Sequence, residues 1–508
     1  MSMPAERIQA SMTLQQLLQG IVDAPAIPLS EITDDSRRVS PGTVFIACGG
    51  ASSHGLDFAG AAIDAGAVAI LWDETTGDAA KARGSVPFIA IPNLSHALGE
   101  IANRWYDTPS AAVSVVGITG TNGKTTVAWL IAQALQLLGR PTGYLGTLGY
   151  GVDEVEVDLG MTTPPCLDVH AKLAGFRDEG AEAAALEVSS HALAQQRMDG
   201  VNVDIAVFTN LSRDHIDFHG SLEAYAESKA KLFTEFDSKW RVIGIDTEFG
   251  VELAERLGPD AVVTSIRPDA AVGDHGYVRL QSSLAEEAGA TLNVDSSWGR
   301  GELRISLVGA FNYSNVLQVL AVLLCRGVDF DVAARTISRL TAPPGRLQHV
   351  RLDDEGELPQ VYVDYAHTPA ALAAALEALR PHTRGSLWCV FGCGGDRDRG
   401  KRPEMGDIAE RLADRAVITN DNPRSEDPAR IIADVAAGMH GTPAVIEDRA
   451  AAIAWAIASA SGEDTVLIAG KGHENYQIIG DQRLDFSDVQ TAGAALHARR
   501  QVPDGVAK

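Results

Sequence analysis

Short apolar runs alternate with helical stripes along most of this chain, and the two periods together predict its architecture. Leu14, Leu17 and Leu18 share one helical face, and Val44–Cys48 and Val68–Trp72 read as buried strands of a small N-terminal module. Asp107–Ser110 reads as a linker, and Ala112–Val116 as a buried parallel strand beyond it. Val127, Leu130, Ile131, Ala134, Leu135 and Leu138 then fall on one face of a helix that Gly139 and Pro141 end. Ala183–Leu186 and Ile205–Phe208 are further strands, each running into polar residues. Residues 240–305 read as short strands between Gly- and Asp-rich turns, with no chemistry legible in them, and Val316–Leu324 as an apolar helix. From Pro343 onward the alternation resumes: Val361–Asp364, Leu387–Phe391, Ala416–Thr419 and Thr465–Ala469 each lead into a polar loop. Strands alternating with helices imply mostly parallel sheets. The fold expected is α/β in three domains, bounded at 1–108, 109–340 and 341–508, in line with about 150 residues per domain.

Between the first strand of the second domain and its helix lies Gly117–Thr126, the sequence Gly-Ile-Thr-Gly-Thr-Asn-Gly-Lys-Thr-Thr. Strand, glycine loop and helix form the context of a phosphate-binding loop, in which backbone N–H groups and a helix N-terminus face an anion. Lys124 can reach the β- and γ-phosphates, and the Thr125 hydroxyl can ligate Mg²⁺. The strict pattern asks for glycine where Ile118 stands, so the loop is a compact form built on Gly120 and Gly123. A tight turn with an exposed lysine would share the spacing but not the flanking elements. Glu187, at a strand end, is the natural acidic partner for a Thr125-bound Mg²⁺; an ordinary surface carboxylate is the alternative.

Charge and cysteine content narrow the picture. A formal charge of −25 argues against nucleic acid as a partner but says little about small anions, which need only a local basic pocket. Cys48, Cys166, Cys325, Cys389 and Cys393 are scattered, as reduced cytoplasmic thiols are, and Cys389 and Cys393 have no further ligands at zinc spacing. No apolar run approaches the ~20 residues of a membrane span, so no membrane insertion is expected.

One lysine stands out of pattern. Leu222, Tyr225, Ala226, Leu232 and Phe233 form the apolar stripe of a helix, and Lys229 falls on it, while Lys231 lies opposite. The periodicity leaves two outcomes. The stem can snorkel toward water. Or the amine, neutralised by burial, can react with CO₂ to a carbamate able to ligate a second Mg²⁺ beside His215.

The four C-terminal loops would converge on one edge of a doubly wound sheet. They carry Arg397 and Arg424 against Asp396 and Glu474, a mixture suited to a zwitterion, because arginine clamps a carboxylate in two places and a carboxylate accepts from an ammonium. Four ordinary solvated loops would share this composition. Asn312 and Asn315, three apart near a helix start, could read a base edge or cap the helix.

Taken together, Gly-Thr-Asn-Gly-Lys-Thr-Thr, Glu-Val-Ser-Ser-His, Thr-Asn-Leu-Ser-Arg-Asp-His, the Lys229 helix, Asp-Tyr-Ala-His-Thr-Pro, Gly-Gly-Asp-Arg-Asp, Asp-Asn-Pro-Arg and Gly-Lys-Gly-His-Glu resemble the Mur ligase family of cell-wall enzymes over nearly the whole chain. The compact phosphate loop is that family's own form. The resemblance implies a small N-terminal α/β domain for the UDP part of a substrate, a central P-loop ATPase domain and a C-terminal Rossmann-like domain for an amino acid. It implies a cytoplasmic, monomeric, ATP- and Mg²⁺-dependent amide ligase joining meso-diaminopimelate to a UDP-muramoyl dipeptide through an acyl phosphate. Ser36, Ala51, Ser52 and Ser53 would contact the UDP part. Gly120, Thr121, Asn122, Gly123, Lys124, Thr125 and Thr126 would bind ATP, with Asn312, Asn315 and Arg346, and less firmly Asp364, facing the nucleotide. Thr125 and Glu187 would hold one Mg²⁺, His215 and a carbamylated Lys229 the other. Thr162, Thr163, Ser189, Gln195 and Arg197 would contact the muramoyl peptide. Arg397, Asp421, Asn422, Pro423, Arg424, Gly470 and Glu474 would form the amino-acid site, Arg424 selecting the second carboxylate that lysine lacks.

Rival readings are a lysine-adding ligase of the same family, a folylpolyglutamate synthetase, a P-loop ATPase driving a partner, and a non-catalytic nucleotide-binding module. Arg424 speaks against the first, the developed N-terminal domain and Asp-Asn-Pro-Arg against the second. An ATPase would need no amino-acid pocket, and a bare module would need no Lys124, Thr125 and Glu187 together.

Overall fold

The computed structural model describes residues 12–50, 53–156, 160–352 and 358–500. Its residues group into two compact units: 1–124 with 139–241, and 125–138 with 242–508.

The first unit opens with a four-stranded parallel sheet, Glu31–Thr33, Thr43–Ala47, Ala69–Asp73 and Phe88–Ile91, in sequential order. Strand side chains alternate between faces. Val44 and Ile46 therefore pack with Leu14, Leu17 and Ile101, and Phe45 and Ala47 with Leu56 and Ala62. Helices cover both faces, as an all-parallel sheet requires. The expected linker at Asp107–Ser110 is not one: Pro109 starts a short helix, Pro109–Ala112, where its missing N–H costs nothing.

The same unit carries the loop-bearing strand, Ser114–Thr119, between the parallel strands Ala183–Glu187 and Val203–Phe208. Thr142–Gly146 pairs with the far side of Ala183–Glu187. The strand runs further toward the loop than the apolar run suggests. Ile118 is a fully buried strand residue in register with Glu187, so the first glycine of the longer loop form has no loop position to fill here.

The helix Lys124–Leu137 follows the loop, and all of it after Lys124 belongs to the second unit. Residues 261–305 depart from expectation. Instead of short strands, Gly276–Glu286, Gly289–Ser296 and Gly299–Ile305 form a long antiparallel meander. The distal half of Gly276–Glu286 is exposed on every residue, so it has no buried face to impose an apolar alternation. The C-terminal sheet has six strands, in the order Gln348–Val350, Gln360–Asp364, Thr465–Ala469, Leu387–Phe391, Arg415–Ile418, Ala444–Val445; all but the first run parallel. Pro369–Leu379, Lys401–Leu412 and Pro428–Ala436 cover one face, Arg449–Ser459 and Asp488–Arg500 the other. This doubly wound arrangement brings the loops after four parallel strands to one edge. Among the described residues no helix is long and apolar enough to cross a membrane.

Candidate active site

The phosphate loop is knitted to the segment after Val203–Phe208. Thr121 N donates to Asn210 O at 2.9 Å, Asn122 N to Asn210 Oδ1 at 3.0 Å, and Thr209 Oγ1 to Asn122 O at 2.6 Å. Gly120 and Gly123 take positive φ, and at Gly120 a Cβ would fall 1.9 Å from Thr209 Oγ1. Glycine is therefore required by both conformation and space. Lys124 folds back over the loop, its Nζ donating to Gly120 O at 2.9 Å and Thr121 O at 3.0 Å.

Lys229 meets the same loop from the helix Leu222–Thr234. Its side chain is 1% exposed and its Nζ donates to Gly120 O at 2.8 Å. It does not snorkel. Burial, with the nearby Lys124 charge adding to it and Asp214 opposing, pushes its pKa down to about 6. Tyr225 lies between: its OH is 3.2 Å from Thr121 Oγ1 and its ring 4.4 Å from Lys229 Nζ. Leu222, expected on the buried stripe, is instead 40% exposed, because the helix begins there.

His215 caps the short helix Ile216–His219 with a positive φ, half exposed, its Nε2 3.5 Å from Asp214 Oδ2. Its ring stands 4.8 Å from His191 and 6.1 Å from Tyr225. Burial lowers the pKa of His191 and, independently, of His219, and neighbouring imidazoles add to both shifts.

Glu187 is almost fully buried at the end of its strand and held at both oxygens. Tyr144 OH (2.6 Å) and Thr147 N (2.9 Å) donate to Oε1, and Thr147 Oγ1 (3.1 Å) to Oε2. Thr163 Oγ1 donates to the Glu187 carbonyl at 2.7 Å, and Ser189 N to Thr163 Oγ1 at 3.0 Å. Thr162 Oγ1 lies 3.2 Å from Thr147 Oγ1, within hydrogen-bond distance. Arg197 donates to Thr163 O at 2.7 Å and to Gln195 Oε1 at 2.5 Å. These residues therefore form one polar patch around Glu187. Ser36 lies in the turn Ser36–Arg38 and Ser53 is exposed, each remote in sequence from that patch; Ala51 and Ser52 lie outside the described residues.

In the second unit Thr125 and Thr126 are buried in the first turn of their helix. Asn312 and Asn315 are buried on one helix face, but their amides are engaged locally: Asn312 Nδ2 donates to Val308 O at 2.8 Å, Asn315 Nδ2 to Asn312 Oδ1 at 2.9 Å. Asp364 accepts from Leu347 N (2.7 Å) and Ala366 N (2.8 Å), which makes it an organiser of the Gly345–Leu347 turn; burial raises its pKa to about 6. Arg346 stacks over Tyr365 at 5.1 Å, and its Nε is buried with no hydrogen-bond partner among the described residues.

At the sheet edge Arg424 sits at positive φ, its Nη1 donating to Gly395 O at 2.9 Å. Pro423 and Asp421 are buried beside it. Arg397 is exposed and bonds only weakly, to Asp396 O at 3.3 Å. Gly470 has φ +120, and a Cβ there would fall 2.7 Å from Asp421 Oδ2. The charge pairing differs from the simple arginine-against-acid picture. Asp396 is bound by Ser425, and Glu474 by Asn422 and Lys471. Lys471, visible in Gly-Lys-Gly-His-Glu but not singled out there, is fully buried. Tyr144 and Thr147 were likewise not singled out, since their spacing carries no signal; Asn210 stood in Thr-Asn-Leu-Ser-Arg-Asp-His and Tyr225 on the apolar stripe, but neither was given a role at the loop.

The chemistry of the donors fits Mg²⁺. No group of three or more His, Cys, Asp or Glu side chains that could hold a metal occurs among the described residues, while Glu187 and Thr125 offer hard oxygens. Mg²⁺ is typically held by one or two such ligands, with phosphate and water completing the shell.

Residues 28–106 match the Mur ligase family catalytic domain, residues 118–323 the Mur ligase middle domain, and residues 345–472 the Mur ligase glutamate ligase domain. Over 478 residues the chain is 48% identical to a UDP-N-acetylmuramoyl-L-alanyl-D-glutamate–2,6-diaminopimelate ligase of Chromobacterium violaceum, covering 93% of this chain and 95% of that protein. The chain belongs to the Mur ligase family. The enzyme of the same name from Alkalilimnicola ehrlichii is 45% identical over 499 residues, 96% of this chain and 99% of that one. A solved structure of a ligase of that name superposes with TM-score 0.71 at 35% identity, covering 97% of this chain and all of the other. The three-domain α/β architecture of the Mur ligases is therefore that of this chain.

Proposed function

We propose that this Mur ligase is the ATP-dependent enzyme that joins meso-2,6-diaminopimelate to UDP-N-acetylmuramoyl-L-alanyl-D-glutamate, in the making of peptidoglycan precursors. The observation that carries the reading is the buried Lys229 amine on Gly120 of the phosphate loop, one strand over from a fully oriented Glu187. Two near-full-length relatives bearing that ligase name support the substrate assignment.

Domains bounded at 1–108, 109–340 and 341–508 would bind the UDP substrate, ATP and the amino acid. Gly120–Thr126 would cradle the phosphates, and Arg346, Asn312 and Asn315 would take the nucleotide; Arg346 Nε has no partner among the described residues. Thr125 and Glu187 would hold one Mg²⁺. The neutral Lys229 amine adds to CO₂ and releases a proton, and the resulting carbamate would hold a second with His215. When bound, Mg²⁺ offsets the repulsion between two anionic reactants. The glutamyl carboxylate attacks the γ-phosphorus of ATP, ADP leaves, and Lys124 stabilises the transferring phosphoryl group. The diaminopimelate amine attacks the acyl phosphate, and phosphate leaves as the amide forms. Thr162, Thr163, Ser189, Gln195 and Arg197 orient the muramoyl peptide, and Arg424 clamps the distal carboxylate. Water would destroy the acyl phosphate, so closure precedes chemistry. The enzyme acts as a cytoplasmic monomer.

The test is phosphate release from ATP with the UDP-muramoyl dipeptide and meso-diaminopimelate, lysine or no amino acid. Release dependent on diaminopimelate is expected. Equal release with lysine overturns the substrate, and equal release with no amino acid makes the protein a plain ATPase.

A further inference from the structure

Glu474 ends the loop after Thr465–Ala469, and one of its two carboxylate oxygens is already engaged from behind. Lys471 Nζ donates to Glu474 Oε2 at 3.0 Å and to Asn422 Oδ1 at 3.1 Å. Asn422 Nδ2 donates to the same Oε2 at 2.9 Å, and Asn422 Oδ1 also accepts from Ile478 N at 2.9 Å. Lys471 is 0% exposed, with the Tyr476 ring 5.4 Å from its Nζ. A buried ammonium persists only where it is paired and hydrogen-bonded, so this one is committed to its two partners. Those partners come from different loops, Asn420–Arg424 and Gly470–Glu474, and both belong to the amino-acid site of the reading above. Among the described residues nothing donates to Glu474 Oε1.

We propose that Lys471 is a positioning residue for the incoming amino acid, an inference that rests on that reading of the site. It turns Glu474 so that Oε2 faces the protein and Oε1 faces the ligand, where it accepts from a substrate ammonium. It also fixes the Asn422 amide against the same carboxylate, so the two loops present one rigid acceptor. Without Lys471, the Glu474 carboxylate loses its orientation and is drawn toward water.

The experiment is a double-mutant cycle of K471M and E474Q in the full-length enzyme, read as KM for each substrate, with calorimetric midpoints alongside. K471M should raise KM for meso-diaminopimelate about ten-fold or more, the scale of a lost charge-assisted hydrogen bond, with KM for ATP and for the UDP-muramoyl dipeptide within about two-fold. Because Lys471 acts through Glu474, adding K471M to E474Q should raise that KM no further. An unchanged KM for diaminopimelate in K471M, a further rise on adding K471M to E474Q, or a parallel rise in all three KM values overturns the proposal. If K471M alone fails to fold, E474Q against the charge-free double variant decides by the same criterion. Wild-type enzyme that shows no diaminopimelate-dependent release refutes the functional reading instead, and does so before any variant is made.

Discussion

Replacing Lys229 by Met should stabilise the protein near neutral pH while abolishing its activity, and the stabilisation should fade as pH rises. In the folded chain the amine titrates at about 6, because it is buried and lies near Lys124; the ordinary value is 10.5. Between those values the unfolded chain carries a proton that the folded chain does not. Wild-type stability therefore climbs with pH across this window, by about 1.4 kcal/mol per unit from this group alone. At pH 7.5 the folded state bears a penalty of about 4 kcal/mol for holding the amine neutral, shrinking to about 1 kcal/mol near pH 9.5. Met has similar length and no charge. The lysine's acceptor among the described residues, Gly120 O, keeps its bond from Lys124 Nζ at 2.9 Å, so that carbonyl is not orphaned. The assay is scanning calorimetry of both proteins from pH 6.5 to 9.5, in Mg²⁺-free buffer purged of CO₂ so that no carbamate contributes. The variant should melt several degrees higher at pH 7, and the gap should close steadily toward pH 9.5. A gap independent of pH, or a wild type that melts higher at pH 7, would mean that Lys229 is charged in the folded state, and the argument for a carbamate would lose its chemical basis.

Gly120→Ala should abolish ATP binding measured by calorimetric titration, because its Cβ would meet Thr209 Oγ1 at 1.9 Å in a backbone conformation alanine avoids; retained affinity would show that the loop can relax. Arg424→Lys should keep the charge but lose the two-pronged grip, raising KM for meso-diaminopimelate about ten-fold or more while leaving KM for ATP unchanged. Equal KM values in wild type and variant would remove Arg424 from the amino-acid site. Arg449→Ala leaves Asp488 buried and uncompensated, where Arg449 Nε and Nη2 now donate at 2.7 and 2.8 Å; a loss of about 3–5 kcal/mol in urea unfolding of the C-terminal domain is expected. A loss below about 1 kcal/mol would mean that water reaches the pair.

What the sequence disclosed and what it hid divide along one physical line. Features set by local chemistry were legible. Gly120 and Gly123 declare backbone that only glycine takes, and Lys229 declares itself by breaking a helical stripe, which the fold answers with an amine buried on Gly120 O. Features set by what a strand or loop meets in space were not. The exposed half of Gly276–Glu286 has no core to pattern it, so one long antiparallel strand read as short strands between turns. Asn312 and Asn315 lie on one face as their spacing requires, yet spacing could not tell that the first amide is already tied to Val308 O. Arg397, Arg424, Asp396 and Glu474 were legible as charges, but their pairing was not, because it depends on Lys471 and Ser425 arriving from other loops. The consequence reaches the chemistry. A count of charges at that edge suggests acids waiting for an ammonium, whereas the fold engages one oxygen of Glu474 in advance. On the reading proposed above, selectivity at that edge turns on which lone pair of Glu474 is left over, and Lys471 and Asn422, which donate to Oε2, set that.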